Sequence, residues 1–507
     1  MTSPSVVIGV DIGTTSTKAV VFDFYGNVLG LGTTGYPLIQ PHPGWVEQDP
    51  DEIVQAVMHS VRTAVDAAGI SPEKVAAVGF SAAMHALIAV DSDGNPLTRA
   101  WIWADNRGAE QAEKLRTLPF GRDCYRRTGT PVHPMSPLVK LLWMKEREPD
   151  LFRRTSKFVS IKEYIWYRMF GRWATDASVA SATGLYNLSS RDWDPDILHF
   201  VGIASDRLSP VVSPTEVFTG LRRDCAQRMG LSPDTPFVIG ASDGVLANVG
   251  VGAIQPGQLA VTVGTSGAVR TAAFSPATDE NARTFCYALT NDRWVIGGAT
   301  NSGGDMLRWL SESVFKGASD SSPPSVDRLL SLAESVPPGA DGLLFLPFLT
   351  GERAPYWDPD ARGAWVGLRL HHQTAHLARA ALEGVTFTLR AITDAVRDVS
   401  GAQTETIRAS GGFVRSPFWL QLTADVLNAT VEVPENKEAS AMGAAVLALT
   451  AIRAMDDLSR VSEWLRITRR MHPDPERVRL YRQWFPLFEE TYRRLRPSFH
   501  TLSQWQQ

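Results

Sequence analysis

The stretch Val6-Val7-Ile8-Gly9-Val10-Asp11-Ile12-Gly13-Thr14-Thr15-Ser16-Thr17-Lys18-Ala19-Val20-Val21-Phe22 decides the fold prediction. Two apolar, β-branched runs joined by a short turn of Gly and Thr indicate a β-hairpin. Such a turn exposes several backbone N–H groups and hydroxyls, which suit phosphate oxygens, and the Asp11 carboxylate beside it can hold a hydrated Mg²⁺. The alternative is a structural hairpin in which the threonines only form the turn.

A similar stretch, Val261-Thr262-Val263-Gly264-Thr265-Ser266-Gly267, occurs about half of the 507-residue chain later. Thr262 stands where the first copy has Asp11, so only the first copy can bring a carboxylate to a metal ion. Two similar phosphate hairpins, one in each half, predict a duplicated fold that clamps a nucleotide between its halves.

Composition excludes several classes of protein. A chain of 507 residues with 44% hydrophobic residues is long enough for two or more domains. Lys and Arg (50) nearly balance Asp and Glu (54), and no basic run marks a nucleic-acid site. The three scattered cysteines fit a reduced, cytoplasmic protein. The first residues do not form a signal peptide, and no apolar run is long enough to span a membrane.

Strand-like and helix-like segments alternate, which predicts α/β layers with mixed sheets. Strands are expected near 6–10, 18–23, 75–80, 87–90 and 237–240, and helices near 51–68, 105–118, 137–147, 162–170, 303–316, 374–399 and 416–428. A cluster of Gly and Pro near 250–258 marks a domain boundary, so domains are expected at 1–252 and 253–480, with a helical tail at 481–507. Residues 319–324 are expected to form a surface loop.

Asp243 follows an apolar strand within Val238-Ile239-Gly240-Ala241-Ser242-Asp243-Gly244. The small neighbours let a substrate approach the carboxylate, which can accept a proton from an alcohol that attacks a γ-phosphoryl group. A helix N-cap at a strand-to-helix turn is the other interpretation, and on this motif alone it is favoured.

Other polar segments also follow strands. Gly411-Gly412 allows close approach of a base or ribose, although on this motif alone a simple tight turn is favoured. His85 can donate to a hydroxyl or carboxylate, and Arg107 can pair with an anion, but each residue type is more often structural. The chain contains no G-x-x-x-x-G-K-[ST] motif, so a P-loop is excluded.

In order, these segments resemble the FGGY family of carbohydrate kinases, within the sugar kinase, actin and heat-shock ATPase fold group. The resemblance covers about residues 6–450. Two further segments are similar to family signatures, namely Met135 to Trp143 and the stretch from Gly363 to Glu383. The resemblance implies an α/β fold of two duplicated ribonuclease H-like domains with an interdomain cleft.

The resemblance also implies roles for individual residues, and it reverses the interpretation of Asp243, which becomes the general base. Asp11 would act on Mg²⁺, directly or through water. ATP would be bound by Thr14, Thr15, Ser16, Lys18, Thr265, Gly304, Arg308, Gly411, Gly412 and Ser416. Relatives often carry Asn at the position of Ser416. The substrate would be bound by Met84, His85, Trp103, Asp105, Asn106, Arg107 and Met135, together with Asp243.

Within the family, the segments Ser81 to His85, Trp103 to Arg107 and His133 to Pro137 resemble the gluconate kinases most, supported by Gly351 to Trp357. Xylulose kinases share the Met-His pair, whereas glycerol kinases differ more there. Gluconate is an acid, so a cationic group is expected near its carboxylate. The candidates are His85, Arg107 and Arg353.

Two classes of function remain open. The first is a kinase for a sugar or sugar acid, with ATP and Mg²⁺ as cofactors, no nucleic-acid or membrane partner, and a homodimer as one arrangement. The second is a nucleotide-gated binding module like actin or a chaperone ATPase domain. That module would have no use for the Met84-His85 and Asp105 to Arg107 segments.

Overall fold

The protein divides into two compact units in the computed structural model, which describes residues 4–316, 323–403, 405–436 and 438–505. Unit 1 comprises Met1–Ile254, Ala272–Ile296 and Glu438–Leu465, and unit 2 comprises Gln255–Thr271, Gly297–Lys437 and Arg466–Gln507. The units are discontinuous in sequence, whereas the predicted domains had single boundaries near 252 and 480. Local composition marks where a chain turns, but not where it returns to an earlier unit.

The strands are β1 Val6–Ile12, β2 Ser16–Asp23, β3 Val28–Gly35, β4 Glu47–Gln48, β5 Val75–Ala82, β6 Ile88–Val90, β7 Ala100–Trp101, β8 Lys157–Val159, β9 Thr175–Asp176, β10 Tyr186–Asn187, β11 Asp192–Trp193, β12 Val211–Val212, β13 Val217–Phe218, β14 Phe237–Ser242, β15 Gln258–Val263, β16 Gly267–Ala273, β17 Phe285–Ala288, β18 Trp294–Thr300, β19 Leu344–Pro347, β20 Gly363–Val366, β21 Thr406–Ser410, β22 Thr430–Pro434 and β23 Ile467–Met471.

The α-helices are α1 Pro50–Ala68, α2 Ala109–Thr117, α3 Pro119–Thr128, α4 Pro137–Arg147, α5 Pro149–Arg154, α6 Ile161–Phe170, α7 Ala177–Ser181, α8 Pro195–Val201, α9 Arg223–Met229, α10 Asp243–Gly250, α11 Asp305–Trp309, α12 Val326–Glu334, α13 Thr374–Ser400, α14 Pro417–Leu427, α15 Ala439–Ala451 and α16 Pro475–Gln504. A π-helical turn, Leu310–Val314, follows α11.

Most predicted elements match these bounds to within two residues. The segment predicted as one helix at 105–118 instead begins as α2 at Ala109, and Pro119 then starts α3. Of the predicted loop at 319–324, residues 319–322 lie outside the described residues. Across the part of the chain that is described, no helix is both long and apolar enough to cross a membrane.

Unit 1 is built on a six-stranded mixed sheet with the order β13-β14-β5-β1-β2-β3. The hairpin of β1 and β2 is antiparallel, and β5 pairs parallel with both β1 and β14. Helix α1 packs on β2 and β3, whereas α15 packs on β1, β5 and α10. A Cβ atom at Gly9 would lie 1.9 Å from the Ala441 carbonyl oxygen, and one at Gly79 would lie 2.1 Å from that of Ala444. The sheet can therefore accept α15 only because both positions lack a side chain.

Unit 2 repeats this arrangement. Its strands have the order β18-β16-β15-β21-β22-β23, with residues 297–300 of β18 inside the unit. β15 pairs antiparallel with β16 and parallel with β21, as β1 does with β2 and β5. The core of unit 2 packs α13, α14 and α16 around β19, β21 and β22. The duplicated α/β fold expected from the two hairpins is confirmed.

Candidate active site

The β1–β2 turn carries the predicted phosphate-binding residues Thr14, Thr15 and Ser16. The Gly13 N–H donates to the Ser16 carbonyl oxygen (3.0 Å), and the Tyr36 hydroxyl donates to the carbonyl oxygen of Gly13 (2.6 Å). Side chains from outside the turn therefore hold its carbonyl groups and fix its shape. Thr15, at the tip, is exposed.

Asp11 lies at the end of β1, between Lys18 on β2 and Ser81 on β5 in the strand registers. The Ser81 hydroxyl donates to Asp11 Oδ1 at 2.9 Å. Burial and the negative charge of Asp243 together raise the pKa of Asp11 to about 7, whereas the Ser81 bond and Lys18 oppose the shift. The predicted metal-holding carboxylate of Asp11 therefore interacts electrostatically with that of the predicted general base, Asp243.

This electrostatic arrangement fits a divalent cation. Two carboxylates that destabilise each other's charge in a partly desolvated site provide the oxygen ligands and the negative potential that Mg²⁺ favours. Asp11 is the residue that would hold the ion, directly or through water. The donor set agrees with the role that the sequence predicts for Asp11.

Asp243 is the first residue of α10, directly after β14. Ser242 occupies the N-cap position, so the simpler interpretation of Asp243 as the cap does not describe the turn. The register of β14 against β5 shifts between Val238 and Ala241, where Gly240 has φ +74°. Asp243 Oδ1 accepts the N–H of Gly244 at 2.6 Å. The helix N-terminus also favours the ionised carboxylate.

A buried lysine that the sequence interpretation missed supports the strand before Asp243. Lys162 Nζ donates to Asp176 Oδ2 (2.7 Å) and to the carbonyl oxygens of Ile239 (3.1 Å) and Ala241 (2.9 Å). Burial lowers the pKa of Lys162, and the charge of Asp176 opposes that shift. The two carbonyls flank Gly240, so this ammonium group holds the irregular end of β14 in place. In the sequence, a lysine within a helical segment gives no signal of this role.

The start of α15 also contacts the site and was missed. Glu438 forms an ion pair with Lys18 at 2.8 Å, and Ser440 Oγ donates to the backbone carbonyl of Asp243 at 3.2 Å. Lys18, predicted to bind ATP, is therefore paired with a carboxylate here. The run of small residues from Ala439 to Ala445 is the signal that could have indicated close packing.

The predicted substrate residues Met84, His85 and Met135 also lie in unit 1. Met84 is half-buried against the core, and Met135 is buried. His85 has φ +69°, and its Nδ1 lies 2.8 Å from the carbonyl oxygen of Ala182. Because a carbonyl only accepts, Nδ1 carries a proton and Nε2 is the basic nitrogen of the neutral ring.

Trp103 joins the predicted substrate-binding segment, Trp103 to Arg107 (the sugar-side segment), to the β1–β2 hairpin. Its indole Nε1 donates to Thr14 Oγ1 at 2.9 Å. Gln48 Nε2 donates to the Thr14 carbonyl at 2.5 Å, so the hydroxyl and the carbonyl of Thr14 are both held from outside the hairpin. Asn106 is exposed, and its N–H donates to the carbonyl of Gly44 at 2.8 Å.

Arg107 does not occupy the position expected of a ligand-binding arginine. Its guanidinium pairs with Asp105 (2.8 Å) and Glu47 (2.6 Å), and its centre lies 4.0 and 3.8 Å from the ring centroids of Trp45 and Trp101. The side chain is 2% exposed, and Asp105 is fully buried. The prediction that Arg107 pairs with a substrate carboxylate is not supported, because two acidic partners and two indole rings already surround it.

Five of the six predicted nucleotide residues of unit 2 line one pocket of about 770 Å³. It is lined by Thr265, Gly304, Arg308, Gly412 and Ser416, together with Leu330, Phe413 and Phe418, which the sequence interpretation missed. Gly411 has φ +94°, and a Cβ atom there would lie 2.5 Å from the Val263 carbonyl oxygen. A cavity that combines apolar and charged side chains, with glycines and a hydroxyl turn at its edge, fits a nucleoside phosphate.

Three side chains of unit 2 are already engaged. Ser416 caps α14 by accepting the Trp419 N–H, and exposed Arg308 pairs with Asp305 at 2.6 Å. Arg353 Nη2 donates to the carbonyl of Thr300 at 3.0 Å. Of these, exposed Arg308 can turn to a phosphate with least loss, because an exposed ion pair is weak.

Comparison with known proteins places the chain among sugar kinases. The FGGY family of carbohydrate kinases matches through its N-terminal domain at residues 6–250 and its C-terminal domain at residues 259–452. The gluconokinase of Bacillus subtilis (strain 168) is 43% identical over 99% of this chain and 98% of its own length. A xylulose kinase of Staphylococcus epidermidis is 31% identical over 96% of each chain.

Solved structures give the same fold. A gluconate kinase from Lactobacillus acidophilus superposes with a TM-score of 0.93 at 35% identity, covering 98% of this chain and 99% of its own. A ligand-bound xylulose kinase from the same organism gives the same TM-score, identity and coverage. Backbone similarity therefore does not distinguish between the two sugars.

Proposed function

The chain belongs to the FGGY family of carbohydrate kinases, and we propose that it transfers the γ-phosphoryl group of ATP to the terminal hydroxyl of D-gluconate, giving 6-phospho-D-gluconate. The observation that carries the choice of substrate is the 43% identity to a gluconokinase along the whole chain, against 31% for the xylulose kinase. The sugar-side segments Ser81 to His85 and Trp103 to Arg107 point to the same substrate.

In this proposal Asp243 is the general base. Its carboxylate, held at the start of α10, accepts the proton of the sugar hydroxyl as the oxygen attacks the γ-phosphorus, and the bond to the β-phosphate oxygen breaks. The unfavourable charge interaction between Asp11 and Asp243 is the feature of the site that supports this chemistry. Mg²⁺, held by Asp11, would supply neutralisation of the phosphate charge.

The nucleotide is proposed to use the unit 2 pocket. The base and ribose would lie against Leu330, Phe413 and Phe418, with close backbone approach at Gly411 and Gly412. At one edge of the pocket, Thr265, Gly304 and Arg308 would contact the phosphates. Further phosphate contacts are proposed for the first hairpin, from Thr14, Thr15, Ser16 and Lys18. Lys18 would exchange Glu438 for a phosphate oxygen.

His85 is proposed to recognise the polar groups of the sugar acid. Its fixed tautomer offers Nε2 to a hydroxyl when the ring is neutral, and a second N–H to a carboxylate when the ring is charged. Met84, Met135 and Trp103 would shape the apolar side of the same site, and Asn106 would be the exposed polar contact. Arg107 and Asp105 serve this site as its buried framework.

An ADP-release assay over D-gluconate, D-xylulose, D-ribulose, glycerol and L-rhamnulose tests the proposal. The expected result is the highest kcat/KM with gluconate, with loss of that activity in Asp243→Asn. A preference for D-xylulose would overturn the substrate but keep the kinase. ATP turnover that no sugar accelerates would favour a nucleotide-gated binding module instead.

A further inference from the structure

We propose that Lys140 is a positioning residue of the sugar site, whose ammonium group ties together the two loops that carry His85 and Trp103. The inference rests on the proposed function. Lys140 lies within α4, in the signature segment from Met135 to Trp143, and it is fully buried. The sequence interpretation gave it no role.

Three carbonyl oxygens surround the Lys140 ammonium group. Nζ donates to the carbonyl oxygens of His85 (2.6 Å), Trp101 (2.9 Å) and Ile102 (2.8 Å). An ammonium group has three protons, so each carbonyl receives one, whereas a neutral amine would leave one carbonyl without its donor. The three acceptors come from two separate segments of unit 1. One side chain therefore sets the distance between these segments.

The first segment needs this restraint. His85 adopts φ +69°, a conformation that non-glycine residues rarely adopt and that persists only when neighbours enforce it. The His85 ring is hydrogen-bonded to the Ala182 carbonyl, and the backbone carbonyl of His85 accepts a hydrogen bond from Lys140. Removal of the ammonium group releases one of these two restraints. The direction of the His85 ring therefore depends on Lys140.

The second segment leads to the remaining sugar-side residues. The carbonyls of Trp101 and Ile102 immediately precede Trp103, which reaches Thr14 of the phosphate hairpin. The Asp105 N–H donates to the same Ile102 carbonyl at 3.0 Å, so this oxygen is also the start of the turn that holds Arg107. Lys140 thus fixes the point at which the Trp103 loop leaves β7.

The charge environment of Lys140 is consistent with a dedicated role. Burial, together with the positive charge of Arg107, lowers its pKa to about 7, whereas the negative charge of Asp105 opposes the shift. Burying an ammonium group is unfavourable unless its protons are hydrogen-bonded. If Lys140 only filled space, an apolar residue could replace it without loss of stability. The charged form of Lys140 supplies the three hydrogen bonds to the two loops.

The test uses the full chain with Lys140→Met, which keeps the length of the side chain and removes its donors. Steady-state kinetics give kcat, KM for gluconate and KM for ATP. We expect KM for gluconate to rise about 10- to 100-fold, the range for loss of charged hydrogen bonds, with KM for ATP within about twofold of wild type. Lys140→Gln keeps two donor protons on a shorter side chain, so its KM for gluconate should lie between those of the wild type and Lys140→Met.

Lys145→Met is the matched control. Lys145 lies on the same helix and is exposed, with its Nζ 3.4 Å from the Phe200 carbonyl, so this variant should keep both KM values. An unchanged KM for gluconate in Lys140→Met, or equal changes in both KM values, would overturn the proposal. Insolubility of both Lys140 variants would do the same, because it would assign the residue to overall stability. Failure of the wild type to phosphorylate any sugar would instead contradict the proposed function.

Discussion

The indole Nε1 of Trp103 donates a hydrogen bond to Thr14 Oγ1 across 2.9 Å, so a residue of the sugar-side loop holds the phosphate hairpin directly. This hydrogen bond links the loop that is proposed to bind the sugar to the hairpin that is proposed to bind the phosphates. Displacement of the loop by an ill-fitting sugar would change the hairpin that is proposed to meet the phosphates.

Trp103→Phe keeps a ring in place and removes the donor to Thr14. We expect kcat with gluconate to fall about 3- to 10-fold, as for loss of one neutral hydrogen bond, because the hairpin is less well held. Trp193→Phe is the control, since its indole donates to the Ser209 carbonyl at 2.9 Å away from the proposed catalytic residues. Equal rates for both variants would show that the Trp103 contact does not affect turnover.

Asp243→Asn retains the shape of the side chain and removes its ability to take a proton. Loss of a positioned general base lowers the rate by about 10²- to 10⁴-fold, whereas ATP affinity measured by calorimetry should stay close to that of wild type. Asp49→Asn, a change at the N-cap of α1, serves as a control because Asn caps as well as Asp. Turnover near the wild-type rate in Asp243→Asn would remove Asp243 from the mechanism.

Asp11→Asn should stabilise the protein against unfolding in a pH-dependent way. With the pKa of Asp11 raised from 3.8 to about 7, the folded protein keeps a proton that the unfolded chain releases, so stability falls as pH rises through this window. The variant lacks this titrating group. In the presence of a chelator, the free energy of unfolding of Asp11→Asn relative to that of the wild type should therefore increase by about 1–3 kcal/mol between pH 5 and pH 8.

Thermal melts of both proteins across this pH range measure the effect. Addition of Mg²⁺ at pH 8 should raise the Tm of the wild type and leave that of Asp11→Asn unchanged. An advantage of the variant that does not depend on pH would contradict the electrostatic account of Asp11.

Gly412→Leu should block the proposed nucleotide pocket selectively. A Cβ atom at Gly412 meets no atom closer than 3.7 Å, so the larger residue can be built without distorting the backbone. We expect KM for ATP to rise at least about 10-fold, the effect of about 1.4 kcal/mol of lost binding, with KM for gluconate unchanged. Gly412→Ala, as the graded control, should change KM for ATP much less. A parallel rise in both KM values would argue against a nucleotide in this pocket.

Arg107→Met should lower stability rather than act on gluconate binding alone. It leaves Asp105 and Glu47 without their buried partner, which costs about 3–5 kcal/mol for a broken buried pair. Arg99→Met is the matched control, because Arg99 pairs with the same Glu47 at 3.6 Å from an exposed position and should contribute less than about 1 kcal/mol. Urea unfolding distinguishes the two. A wild-type midpoint for Arg107→Met would mean that the pair is dispensable.

The sequence was most informative where function requires a local pattern. The hairpin at Asp11, the strand end at Asp243 and the glycines at 411 and 412 are each contained within a few residues, and their secondary structure follows from the apolar runs beside them. Helix bounds such as α4 were predicted to the residue, because Pro137 and the periodicity of the apolar residues define them.

The sequence was least informative about long-range polar contacts. Lys140, Lys162 and Glu438 contact residues that lie 14 to 420 positions away in the chain. A buried lysine and a surface lysine are the same letter, and only the packing of distant elements decides which carbonyls meet its protons. The same reason explains Arg107, whose acidic partner Glu47 lies 60 residues earlier.

Helix α15 has a consequence for the order in which the protein is made. The groove over Gly9 and Gly79 is filled by residues that follow most of unit 2 in the chain, and the buried face of α15 completes the core around Val7 and Phe22. While the ribosome is translating the first 430 or so residues, this side of the first sheet lacks the helix that covers β1 and β5, although α10 packs beside β5. The nascent chain therefore displays an uncovered apolar face for most of its synthesis, and chaperones would meet the protein in that state.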